Sequence, residues 1–106
     1  MNFTSFKQSL SGTEPPENSS VYLTALWYDA KGDWDKAHDL IQDIKDKNAS
    51  WIHAYLHRKE GDSSNAGYWY TRAGKKHSVV SLETEWEEIV KALINWSKID
   101  RPAYMK

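Results

Sequence analysis

Cysteine is absent from this chain of 106 residues, which excludes disulfides, thiolate metal sites and thiol nucleophiles. A small domain that dispenses with them fits a reducing interior, so the expected location is cytoplasmic. An excess of one charge is also missing: 14 Lys and Arg stand against 15 Asp and Glu, for a formal net charge of -1. That balance leaves no electrostatic footprint for a phosphate backbone, and nucleic acid is not an expected partner. No stretch approaches the roughly 20 apolar residues of a membrane span. Met1 to Ser11 lacks the basic start and long apolar run of a signal peptide, so neither membrane insertion nor secretion is expected. Signature motifs of chemistry are missing as well. There is no Gly-rich phosphate loop, no Gly-x-Ser-x-Gly elbow and no paired metal motif; generic hydrolases lose ground and no cofactor is expected.

What the chain does have is aromatic mass. Six Trp and six Tyr are many for this length, and each ring buries a large area while keeping a polar handle. The length and the 40% apolar share suit one domain, 1–106, built on one core. Residues 1–17 read as an N-terminal arm and loop, an arm or short helix from Phe3 to Leu10 followed by a Gly, Pro and Ser-rich stretch. Beyond it, apolar residues recur at helical spacing. Tyr22, Leu23, Leu26 and Trp27 mark a first helix ended by Gly32, and Asp33 can cap a second that carries Trp34, Ala37, Leu40, Ile41 and Ile44. Asn48 can cap a third with Trp51, Ile52, Tyr55 and Leu56. Asp62 can cap a fourth through Ala66, Trp69, Tyr70 and Ala73, closed by Gly74. The last starts near Ser81 and sets Leu82, Trp86, Ile89, Val90, Leu93 and Trp96 on one stripe.

Shifting the chain along itself by 29 residues brings Ala25 onto Ala54, Gly32 onto Gly61, Asp33 onto Asp62 and Ala37 onto Ala66. Two copies of one helical hairpin explain the match. The small Ala positions let helix axes approach, the Gly ends the first helix and the Asp starts its partner. The pattern resembles the tetratricopeptide and Sel1-like repeats over about residues 20 to 76. In the second copy Ala54, Gly61-Asp62, Ala66, Tyr70 and Ala73 stand at the family's small, turn, small, aromatic and small positions. The first copy keeps Ala25, Tyr28, Gly32-Asp33 and Ala37 but has Ile41 and Ile44 where an aromatic and a small residue are usual. The run from His53 to Gly74 is also similar to the hallmark of a group of small uncharacterised proteins, a likeness that implies no activity. The repeat resemblance implies an all-α fold, a short right-handed α-solenoid. Two TPR-like antiparallel hairpins, 18–47 and 48–76, would be followed by a capping helix at 81–99, which so short an array needs to cover its last face.

Candidate functional residues cluster in the second copy. His53 and His57 are four apart on one helix face, a spacing by which two imidazoles can reach one metal or one substrate. A metal site needs a third ligand, and the Glu of a His-Glu-x-x-His motif is missing because Ala54 follows His53. Histidines satisfied by their neighbours, with no metal, are therefore the expectation. Arg58 and Glu60 flank the Gly61 turn, while Asn65, Trp69 and Arg72 form a strip on the next helix that could grip an anionic or planar ligand. Folding roles compete, since Asn65 follows a capping Asp and Arg72 near a helix end complements the dipole. The resemblance puts Tyr22, Leu26 and Asp29 of the first copy, and Trp51, Tyr55 and Arg58 of the second, at groove positions for a peptide. The competing role for these rings is packing against the arm or the last helix. The expected function is a non-catalytic protein- or peptide-binding module, taking a partner or self-associating. The alternative is a small enzyme or small-ligand binder using His53, His57, Arg58, Asn65 and Arg72.

Overall fold

In a computed structural model the backbone is described for residues 1–99 and the side chains for residues 1–94. Six α-helices and no strands occur among them: α1 (Phe3–Ser9), α2 (Val21–Ala30), α3 (Trp34–Ile41), α4 (Lys47–Lys59), α5 (Ser63–Ala73) and α6 (Leu82–Ile99). Trp96 of the expected stripe lies outside the residues whose side chains are described.

Short polar side chains start these helices by accepting from amides that have no intrahelical partner. Asn2 and Ser5 form a reciprocal capping box at α1, which makes the N-terminal arm a short helix. Asp33 accepts from the Lys36 amide at 3.1 Å, and Asp62 from the Asn65 amide at 3.2 Å, as the sequence leads one to expect. The cap of α4 is Asp46 and not Asn48: its carboxylate accepts from the Ala49 amide at 2.8 Å and also from the Tyr22 hydroxyl of α2. That tertiary partner favours the earlier start.

The turns after α2 and α4 are built alike. Gly32 and Gly61 each have φ +90°. In the first turn the Gly32 amide donates to the Asp29 carbonyl at 2.9 Å and the Asp33 amide to the Tyr28 carbonyl at 2.9 Å. In the second the Gly61 amide donates to Arg58 at 3.1 Å and the Asp62 amide to His57 at 2.9 Å. Nothing lies within 4 Å of a Cβ placed at either glycine. Backbone conformation, not space, demands glycine there.

Helix α2 packs on α3 and α4 on α5, with α3 against α4, while α6 lies against α1, α2 and α4. One core cluster joins Phe6 of α1, Leu23, Leu26 and Trp27 of α2, Ile41 of α3, Ile52, Tyr55 and Leu56 of α4, and Trp86, Ile89, Val90 and Leu93 of α6. The buried Trp86 indole satisfies its N–H on the Leu26 carbonyl at 3.0 Å. Glu85, only 1% exposed, is the polar rivet of α6. It accepts from the Tyr70 hydroxyl at 2.6 Å, the Arg58 guanidinium at 2.8 Å and the Trp51 indole at 3.2 Å. The radius of gyration of 13.2 Å matches the value of about 13 Å for a compact chain of about 100 residues. Among the described residues no helix is long and apolar enough to cross a membrane.

Candidate metal centre

Where α3 meets α4, an i,i+4 pair on α4, His53 and His57, faces His38 of α3. The His38 and His53 rings meet through their Nε2 atoms, 3.0 Å apart. Ring centroids lie 4.8 Å apart for His53 and His57 and 5.3 Å apart for His38 and His57. One ring nitrogen from each of the three lies within 4.8 Å of the others. A tetrahedral zinc with bonds of about 2.0–2.1 Å needs nitrogens about 3.3 Å apart, so modest side-chain adjustment brings the trio to ligating distance.

Aromatic planes hold the rings in place. Trp34, one turn before His38, stacks on it at 4.9 Å with an interplanar angle of 9°. Its own indole N–H is tied to the Leu56 carbonyl at 2.8 Å. Trp69 of α5 stacks on His53 at 3.9 Å and 16°. His57 Nδ1 lies 2.6 Å from the Glu60 carboxylate, and the Asn65 side-chain nitrogen is 3.4 Å from His57 Nε2. With Glu60 accepting from Nδ1–H, the Nε2 lone pair of His57 is the one left for a ligand. A carboxylate behind a ligating imidazole is the usual outer-shell support of metal-bound histidine.

His53 and His57 are buried and His38 is half-buried. Burial, with His38 and His57 adding repulsion, pushes His53 down to about 4. Burial and then His57 lower His38 as well. Both are therefore neutral near pH 7, the form that ligates. Three imidazoles without thiolate suit zinc, copper or nickel better than calcium or magnesium, which take oxygen.

Among the residues singled out in the sequence, His53, His57, Asn65 and Trp69 come together here. Arg72 is nearby but exposed, its guanidinium 5.5 Å from the Trp69 ring and 5.8 Å from that of Tyr68. Arg58 turns away to Glu85 and the Val80 carbonyl, and Trp51 joins it on Glu85 beneath the Lys75 ammonium, 3.9 Å from its ring. Tyr22 serves the α4 cap. Tyr55 is buried in the core, and its hydroxyl is driven well above its ordinary range by burial and then by the Asp29 charge. Asp29 itself is buried and pairs with Lys59 at 2.9 Å. The residue that sequence reasoning missed is His38. Its signal was Trp34-x-x-x-His38, an aromatic and an imidazole one turn apart on the helix preceding the His53 and His57 pair. The chain matches no protein-family model, no curated protein and no solved structure.

Proposed function

We propose that this protein is a small helical metal-binding protein that holds one divalent ion of the zinc class on His38, His53 and His57. The observation that carries the reading is the approach of three imidazole nitrogens to within 4.8 Å of one another, with Glu60 hydrogen-bonded behind His57 at 2.6 Å. A hydrogen bond between the rings accounts for the 3.0 Å contact of His38 with His53; the third imidazole beside them and the carboxylate behind it are what a shared cation adds a reason for. The proposal extends to the architecture. Helices α2–α3 and α4–α5 form two tetratricopeptide-like hairpins in a short solenoid closed by α6, a reading supported by the matching Gly32-Asp33 and Gly61-Asp62 turns. The ion then joins the last helix of one hairpin to the first helix of the next.

Protein or peptide capture is the second reading, and one observation favours it. Tyr68 is 55% exposed and stands with Trp69 under Arg72 on α5, an aromatic and Arg strip of the kind that anchors partners. The groove side of α2 and α4 is less suited, because Leu26 and Tyr55 share their core with Phe6 and Trp86. Calorimetric titration of chelator-stripped protein with zinc tests the first reading. One equivalent taken up by the wild type and lost in H38A supports it; absence of uptake rejects it and leaves partner capture.

A further inference from the structure

We propose that the ion, once held by the three histidines, keeps a coordination position open to a small anion, so that the centre exchanges ligands and is not a closed structural clip. This rests on the three-histidine reading. Structural zinc sites are closed by four protein ligands, whereas reactive ones have three and leave the fourth position to water or substrate. Among the described residues no further His, Asp or Glu stands within 4.8 Å of all three histidines; Glu60 and Asp62 approach His57 alone. Cysteine is absent. The remaining histidine, His77, packs on the Tyr70 ring 4.9 Å away and is not in the group. Glu60 is engaged on Nδ1 of His57 at 2.6 Å, and a carboxylate bound to one ring nitrogen stands behind the imidazole, away from an ion on the other.

Asn65 gives the open side its chemistry. Its part-buried amide nitrogen, 3.4 Å from His57 Nε2, loses that acceptor when a metal takes the lone pair. It is then free to donate to an atom bound to the same metal. Charge selects the ligand. Three neutral imidazoles leave the dipositive charge of the ion uncompensated among its direct ligands, and an anion restores the balance where thiolates would have done so in a cysteine site. The stacked indoles of Trp34 and Trp69 occupy the flanks of the histidine trio, which limits the ligand to a small one. Hydroxide, a short carboxylate, bicarbonate and azide have the right charge and size.

Cobalt replaces zinc in such sites and reports its own coordination through visible ligand-field bands. The experiment loads the stripped full chain with one equivalent of cobalt and titrates with azide. The expected result is a set of bands that shift saturably with azide. In N65A, loaded with one equivalent of cobalt, the azide affinity should fall about fivefold, the worth of one hydrogen bond. Bands that form but ignore azide would overturn the open position and leave the metal site standing. No bands from a chain with intact helical circular dichroism would overturn the three-histidine reading itself.

Discussion

His38 and His53 meet nitrogen to nitrogen, Nε2 to Nε2 at 3.0 Å, across 15 residues of sequence and two helices. Two bare lone pairs at that distance repel. Either one ring donates to the other or a cation between them accepts from both, and the third imidazole alongside favours the cation.

Removing single ligands should weaken metal binding unequally from removing their supports. H38A, H53A and H57A should each abolish stoichiometric zinc uptake. Glu60→Gln should lower zinc affinity by about 10- to 100-fold, the range for a carboxylate behind a ligating histidine. Competition against a chromophoric chelator measures both. An unchanged affinity in E60Q would show that the Glu60 contact with His57, 2.6 Å in length, does not act on the metal.

The metal-free protein should lose stability on mild acidification. His53 titrates at about 4 in the folded chain against about 6.5 unfolded. Between those values the unfolded chain binds a proton that the folded chain refuses, so stability is full above about pH 6.5 and falls as pH drops toward 4. His38, lowered too, works in the same direction. Urea midpoints in the presence of a chelator should fall between pH 7 and pH 5 in the wild type and fall less in H53Q. A flat profile in the wild type would count against buried neutral imidazoles.

Arg58 should prove structural. Its guanidinium, 2.8 Å from the 1%-exposed Glu85 carboxylate, neutralises a charge that α6 carries into the core. Arg58→Ala leaves that charge on Tyr70 and Trp51 alone and should cost about 3 kcal/mol, with zinc affinity per folded molecule unchanged. Chemical denaturation and a zinc titration at low temperature separate the two effects. Loss of zinc binding without loss of stability would move Arg58 into the site.

Glycine at position 61 should be harder to replace than its open surroundings suggest. At φ +90° any Cβ meets the backbone's own carbonyl, and Gly61→Ala should cost roughly 1–2 kcal/mol. A melting temperature equal to wild type would contradict that assignment.

What was legible in the sequence was local. Helix ends at Gly32, Gly61 and Gly74 and caps at Asp33 and Asp62 follow from backbone chemistry within a few residues, and the structure has them there. The α4 start was misjudged because Asp46 and Asn48 are both competent caps, and the choice is tipped by Tyr22 from another helix. The candidate site was half legible. Helical spacing pairs His53 with His57, but no spacing rule links either to His38, since that juxtaposition depends on how α3 lies on α4. Arg58 stands apart from the histidines for the same reason, its carboxylate partner lying 27 residues later on α6.

The most direct test of the central claim is to follow the ring nitrogens of the four histidines by NMR during a zinc titration. The account predicts that His38, His53 and His57 shift together and saturate at one equivalent, while His77, packed on Tyr70, stays where it was. Shifts confined to His77, or no shift at His38, His53 and His57 with zinc in excess, would contradict it.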